Sequence, residues 1–186
     1  MVRMMVLKAR KIHKNDLEKI REWRMLPEVT KYMYSDPIIT KEQQIKWFLK
    51  ISKEKNSRYW IIEYEGVDIG ILSVTSIDKK NRRCEVGHYI ANEKFRGRGI
   101  GSALEFNIYD YVFNRLNMNK ICWHVFSFNQ NAINTHKKFG CEIEGERKEH
   151  IIKNNVKYDI VEMAILKEKW GKIRKNYKYE KISFED

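Results

Sequence analysis

The chain has 186 residues and a mass of 22.5 kDa, of which 42% are apolar and 12% aromatic, enough for one buried core and too much for a disordered chain. Its 37 basic and 25 acidic residues leave a formal charge of +12, which favours anionic partners (nucleic acid, an acidic membrane, a small phosphorylated ligand) without choosing among them. No run approaches the roughly 20 apolar residues of a membrane span, and residues 1–7 lack the apolar stretch and cleavage site of a secretory signal, so the cytoplasm is expected.

Residues 6–12 read as a first strand. Asn15-Asp16 then cap a helix with Leu17, Ile20, Trp23 and Arg24 on or near one face, and Pro27 ends it. On that face Arg24 either lies over apolar surface or reaches into a pocket. Residues 28–34 make a short aromatic-rich segment. Thr40 and Gln43 form a capping box ahead of a helix expected to turn Ile45, Phe48 and Leu49 inward. From Arg58 the period changes to that of strands. Residues 58–64, a Glu65-Gly66 turn and residues 67–77 read as a hairpin, and residues 84–91 as the next strand. The stretch Arg96-Gly97-Arg98-Gly99-Ile100-Gly101-Ser102 opens a helix that buries Leu104, Ile108, Tyr111 and Val112. A strand at 121–126, a helix at 132–139 ended by Gly140, and strands at 142–152 and 156–166 around Asn154-Asn155 complete the pattern. Residues 168–186 are polar, basic and weakly helical, and are expected to form a partly mobile tail beyond a single domain of residues 1–167. The element order predicts an α/β (α+β) layer fold on a mixed sheet, with no repeat and no second domain. Cys84, Cys122 and Cys141 show no zinc or disulfide spacing, so free structural thiols and no metal are expected.

The glycine-rich turn carries the chemistry. Glycines allow backbone angles and close approaches that side chains forbid, and the following helix aims free N–H groups and its positive dipole end at whatever fills the turn. The site suits a pyrophosphate flanked by Arg96 and Arg98. The glycine spacing is not that of a dinucleotide-binding fingerprint, and no Gly-Lys-Ser/Thr follows as in a Walker loop.

Arg96, Gly99 and Gly101 fit an Arg/Gln-x-x-Gly-x-Gly/Ala pattern, and Asn129-Gln130-Asn131-Ala132-Ile133-Asn134-Thr135-His136-Lys137-Lys138-Phe139-Gly140-Cys141 fits an Asn-x-x-Ala-Ile-x-x-Tyr-x-Lys-x-Gly-Phe block. Together, in this order, they resemble the GNAT superfamily of N-acetyltransferases over residues 6–167. The resemblance implies a mostly antiparallel seven-stranded sheet with helices on both faces. It also implies acetyl-CoA as co-substrate, held by Tyr89, Ile90 and Ala91 of a splayed fourth strand, by Arg96, Gly97, Arg98, Gly99, Ile100, Gly101 and Ser102 of the loop, and by Asn129, Asn134 and Lys137. His136 stands where that family places the tyrosine that protonates the leaving CoA thiolate, and Cys141 replaces the final phenylalanine. An imidazole, with an ordinary pKa of about 6.5, can also donate a proton to a thiolate. His124 is the candidate base, with Glu85 and His88 as alternatives, although a histidine on a strand is as readily a packed structural group.

The segment Glu22-Trp23-Arg24-Met25-Leu26-Pro27-Glu28-Val29, then Tyr32-Met33-Tyr34, Ile39-Thr40 and Gln43-Gln44-Ile45-Lys46-Trp47-Phe48 resembles nucleotide-sugar amine acetyltransferases of pseudaminic acid biosynthesis. It departs from them at Leu26 and Gln44. That resemblance implies a small-molecule acceptor, the 4-amino group of a UDP-linked 4-amino-4,6-dideoxy sugar, bound by Arg24, Met33, Tyr34, Trp47 and Tyr89. Arg24 would meet the diphosphate and the aromatic rings, Tyr32 among them, would stack the base or sugar. Asn81-Arg82-Arg83-Cys84-Glu85-Val86-Gly87 is shared with ribosomal-protein N-terminal acetyltransferases, so a protein N-terminus or a polyamine is the alternative amine. Two other classes compete: a CoA-binding regulator without activity, and a nucleic-acid-binding module, for which the charge is present but no RNA-recognition, KH or zinc signature is. A membrane partner is not expected; a homodimer is allowed.

Overall fold

β-Branched and aromatic residues dominate the runs after Arg58, and in the computed structural model, which describes residues 6–185, those runs join one sheet. Its strands are β1 (Leu7–Lys11), β2 (Arg58–Tyr64), β3 (Val67–Asp78), β4 (Arg83–Ile90), β5 (Lys120–Phe126), β6 (Glu142–Lys153), β7 (Val156–Leu166) and β8 (Ser183–Phe184). They lie in the order β6-β7-β5-β4-β3-β2-β1-β8. Neighbours run antiparallel except at β4–β5 and β1–β8. The sheet therefore has eight strands rather than the expected seven. The extra one, β8, pairs through only Ser183 and Phe184 with Lys8 and Ala9. Residues 1–5 of the expected domain and Asp186 of the expected tail lie outside the described residues.

The helices are α1 (Leu17–Met25), α2 (Pro27–Thr30), α3 (Lys41–Ile51), α4 (Ile100–Asp110), α5 (Gln130–Lys138) and α6 (Lys167–Ile173). Strand alternation separates two cores. Ile61 and Ile71 face α1 and α3, where Ile12, Ile20, Trp47 and Phe48 close over them. Trp60, Ile62, Leu72 and Val74 face the opposite side, in the larger core with Leu104, Ile108 and Tyr109 of α4, Ile133 of α5 and Trp170 of α6. None of the described helices is long and apolar enough to cross a membrane.

Three local expectations change. Asp16 stands before α1 but makes no side-chain cap. Its carboxylate accepts from the His13 amide at 2.8 Å and from Arg10 at 2.7 and 2.9 Å, while Arg10 also reaches Asp68 of β3 at 2.5 Å. That cluster ties α1, and Arg24 with it, to the sheet. The capping box of Thr40 and Gln43 forms as read, but α3 is rolled from its expected face. Ile45 and Leu49 are exposed, and Gln44 is buried beside Trp47. Residues after Leu166 do not hang free. Trp170 is 2% exposed, the Phe106 ring lies 4.7 Å from Tyr177 and 4.8 Å from Tyr179, and Asp110 gathers Trp170, Arg174, Tyr179 and Lys181.

Candidate active site

β4 and β5 pair only at Arg83, Cys84 and Glu85 with Lys120, Ile121 and Cys122. Beyond Glu85 and Cys122 the two parallel strands part, and a cavity of about 870 Å³ fills the split. Residues 86–90 line one wall and residues 123–126 the other. The Ala91 amide donates to the Ile69 carbonyl at 2.8 Å. Antiparallel alternation then turns the Tyr89 and Ala91 amides toward β3 and those of His88 and Ile90 toward the split. Of Tyr89, Ile90 and Ala91, expected to hold acetyl-CoA, only Ile90 thus turns its amide to the split, and His88 does so beside it. β4 can lie this close to β3 because residue 70 is glycine: a Cβ there would sit 1.9 Å from the Tyr89 carbonyl oxygen.

The glycine turn follows β4 as the sequence implies. Gly99, at φ +79, is the N-cap of α4 and offers no side-chain cap, so the first amides of α4 keep their donors for a ligand. Nothing lies within 4 Å of a Cβ built on Gly97, Gly99 or Gly101. Arg96 and Gly101 line the cavity, whereas Ile100 is 1% exposed and belongs to the core. Arg96 bonds Glu93 at 2.9 Å and the Ile90 carbonyl, and the Arg98 guanidinium lies 5.4 Å over the Phe95 ring. Gly97, Arg98, Gly99 and Ser102 stand outside the cavity lining. On α5, Asn129 caps the helix by accepting from the Ala132 amide, and with Asn131, Ala132, Thr135 and His136 it faces the cavity. Asn134 and Lys137 fall off that face by helical period and are exposed.

The histidines divide between the two sides of the sheet. His136 Nδ1 lies 2.7 Å from Glu105 Oε1 of α4, and its ring is 5.0 Å from Trp123. Tyr109 donates to the same Glu105 oxygen at 2.6 Å and stands 3.1 Å from Cys141 Sγ. Burial works against an ionised Glu105, but His136, His88 and Tyr109 outweigh it and hold the carboxyl below its ordinary value. His88 lines the same cavity, and burial pushes its pKa down. His124 alternates with Trp123 and so faces the α1–α3 side. It stands 3.8 Å from Glu85 and 3.5 Å from Glu162, the latter paired with Arg147. His124 lines the cavity; Glu85 reaches it only through His124.

The α1–α3 side holds most of the expected acceptor residues. Arg24, Met33, Trp47 and Tyr89 line the cavity, with Tyr32, while Tyr34 turns its edge onto Phe126 at 5.3 Å instead. Arg24 thus takes the pocket reading, held by hydrogen bonds to Ser35 rather than to a carboxylate. Burial raises the Tyr89 hydroxyl pKa and keeps it protonated. Glu28, Gln43, Gln44 and Tyr59 also line this side; the sequence marked Gln43 only as a cap and Gln44 only as a departure from the sugar-amine pattern, and gave Glu28 and Tyr59 no role. Gln44 is 5% exposed, and its Nε2 has no hydrogen-bond partner among the described residues. Its place in the resembling segment and the capping box just before it were the signals available for it.

Residues 7–142 match the family model described as acetyltransferase (GNAT) domain. The chain belongs to the GNAT acetyltransferase family. The spermidine N(1)-acetyltransferase of Escherichia coli (strain K12) is 23% identical over 164 residues, 88% of each chain. Acetyltransferase PseH of Campylobacter jejuni (serotype O:23/36, strain 81-176) is 25% identical over 138 residues, 74% of this chain and 84% of its own. The crystal structure of Vibrio cholerae spermidine N-acetyltransferase in complex with CoA and spermine shares the fold, with a TM-score of 0.82, 24% identity and coverage of 89% of this chain and 97% of that one.

As a GNAT acetyltransferase the chain uses acetyl-CoA, and the uncapped start of α4 fits that cofactor's pyrophosphate: amide donors, a positive dipole end, and open space above three glycines. Bound there, acetyl-CoA supplies an activated acyl group. Glu105, His136 and Cys141 also offer ligand atoms within 4.8 Å of one another. His136 Nδ1 and Glu105 Oε1 meet at 2.7 Å, a hydrogen-bond distance, and Tyr109 bridges Glu105 to Cys141. Ligands around a zinc ion lie about 3.3–3.8 Å apart, so a cation would have to part His136 from Glu105. Burial also pushes the Cys141 thiol up, away from the thiolate a metal needs.

Proposed function

We propose that this enzyme acetylates the 4-amino group of a UDP-linked amino-dideoxy sugar. The observation that carries the reading is the polarity of the acceptor side. It presents the Arg24 guanidinium and the unpartnered Gln44 amide as donors, and Glu28 is the one carboxylate among the lining residues. Donors of this kind suit an oxygen-rich, anionic acceptor better than a polycation. Tyr32, Trp47, Tyr59 and Tyr89 supply flat faces for a base or sugar ring. The PseH relative supports the same reading.

The transfer needs a neutral amine, a route for its proton, a donor set for the oxyanion and an acid for the thiolate. In this reading the His88 and Ile90 amides, turned to the split, receive the carbonyl oxygen. His124, on the acceptor side between Glu85 and Glu162, takes the amine proton. His136, on the opposite side, returns a proton to the CoA sulfur. The two histidines thereby serve the two sides of the split that the reaction joins.

A polyamine acceptor is the second reading. It is supported by the spermidine acetyltransferase relative and by the carboxylates of Glu28, Glu85 and Glu162. Arg147 already neutralises Glu162, which weakens it. The test is CoA release from acetyl-CoA with a UDP-4-amino sugar, spermidine, a peptide N-terminus, or no amine. Turnover with the sugar nucleotide supports the first reading. Efficient turnover with spermidine or the peptide and none with the sugar replaces it, and no CoA release with any amine leaves a CoA-binding regulator.

A further inference from the structure

We infer that Glu105 is a positioning residue for His136, accepting a hydrogen bond from Nδ1–H so that the cavity is offered Nε2. This rests on the reading of His136 as the proton donor to the CoA sulfur. Glu105 sits in the middle of α4 at 1% exposure, a place where an apolar side chain would pack without the cost of burying a charge. Its Oε1 meets both His136 at 2.7 Å and Tyr109 at 2.6 Å, while its Oε2 has no partner among the described residues. A network kept for stability alone would satisfy both oxygens or dispense with the charge. What the carboxylate does instead is fix a ring that lines the cavity.

Two contacts define that ring. Trp123 of β5 packs beside it at 5.0 Å and sets its plane, and Glu105 occupies one nitrogen. Only Nε2 is then left to face the cavity that His136 lines. Tyr109 in turn holds Glu105, and Cys141 holds Tyr109, so the hydrogen bonds run in one line from Cys141 to His136. The charged and titratable groups around His136 are Glu105 and Tyr109 from α4, His88 from β4 and Cys141 from the turn between α5 and β6. Of these, Glu105 is the only acidic carboxyl. A proton donor at Nε2 needs its ring held in one orientation, and the Glu105 carboxylate at 2.7 Å from Nδ1 does that. A tyrosine in the same place presents a single hydroxyl and needs no such orientation. Glu105 is therefore the companion that the exchange of tyrosine for His136 calls for.

The test compares wild-type enzyme with Glu105→Gln, which keeps the size and the accepting oxygen but removes the charge. The variant should lose kcat by about tenfold or more, move the alkaline limb of the pH profile to lower pH, and keep its KM for acetyl-CoA within about twofold. Nitrogen-15 spectra of wild-type histidines give a second readout that needs no variant. The neutral ring of His136 should carry its proton on Nδ1. An Nε2–H tautomer, an unchanged pH profile in Glu105→Gln, or stoichiometric zinc bound through Cys141 would each overturn the assignment. If His136→Phe keeps wild-type kcat while the Nδ1–H tautomer is found, the acid reading of His136 fails and Glu105's hold on the ring stands.

Discussion

Arg96 turns its guanidinium back onto the Ile90 carbonyl, at 2.9 Å from Nη2 and 3.2 Å from Nε. The arginine that marks the family pattern thus laces the glycine loop to the last residue of β4, whose amide faces the split. The loop and the strand end are positioned as one unit.

Arg96→Ala should therefore affect both substrate affinity and turnover. The KM for acetyl-CoA should rise on the order of tenfold and kcat should fall with it. Arg96→Lys should restore little, because one ammonium cannot reproduce the two parallel hydrogen bonds. Steady-state kinetics of the two variants check this; a rise in KM at constant kcat would leave Arg96 as a phosphate contact alone.

Gly99 combines a left-handed backbone with open space where a Cβ would stand. Gly99→Ala should cost about 1–2 kcal/mol in backbone strain with modest loss of acetyl-CoA affinity. Gly99→Glu should abolish acetyl-CoA binding by calorimetry while the protein still melts cooperatively, since the new carboxylate meets the pyrophosphate and not the core. Unchanged affinity would remove the cofactor from this loop.

His136→Phe should lower kcat by on the order of 10²-fold under conditions where chemistry is rate-limiting. His136→Tyr should recover much of that rate and hold it to higher pH. An acid that must carry its proton and an amine that must be neutral together predict a bell-shaped pH profile for the wild type. Full activity in His136→Phe would make the ring packing against Trp123 and place the acid elsewhere, with the Tyr89 hydroxyl as the first alternative.

Much of this was legible in the residues. Alternation around Glu65-Gly66 and Asn154-Asn155 gave both hairpins, and the two spaced motifs located the loop and α5. The acceptor wall was less legible because α3 carries apolar residues on two sides. Periodicity could not show that Gln44 goes in while Ile45 and Leu49 stay out; the roll of α3 is set by Trp47 packing on Tyr59 and against the Ile71 cluster. Glu105 was silent for a similar reason. A glutamate in a helix reads as a solvated residue until the strand and helix that bury it are known. The last segment misled through its charge: most of its lysines are exposed, but Trp170, Tyr177 and Tyr179 between them pack their rings on Phe106.

Asp110 gives a stability test of that last contact. Burial alone would raise its pKa, but hydrogen bonds from Arg174, Lys181, Tyr179 and Trp170 bring it down to about 2. A carboxyl depressed in the folded state contributes its full stabilisation above its unfolded value, near 3.9, and loses it as pH falls toward 2. Wild-type stability should therefore drop between about pH 4 and pH 2. Asp110→Asn should flatten that part of the curve and cost on the order of 2 kcal/mol at neutral pH, with protease sensitivity appearing after Leu166. Denaturant melts at several pH values, with limited proteolysis, would decide it.

The most direct measurement of the account is a crystal structure of the enzyme with CoA bound. The pyrophosphate should lie on the amides at the start of α4, the pantetheine arm should enter the split between β4 and β5, and the sulfur should sit within about 3.5 Å of His136 Nε2, close to hydrogen-bond reach. A sulfur seated beside Tyr89 or His124, or a pyrophosphate bound away from Gly99, would contradict it.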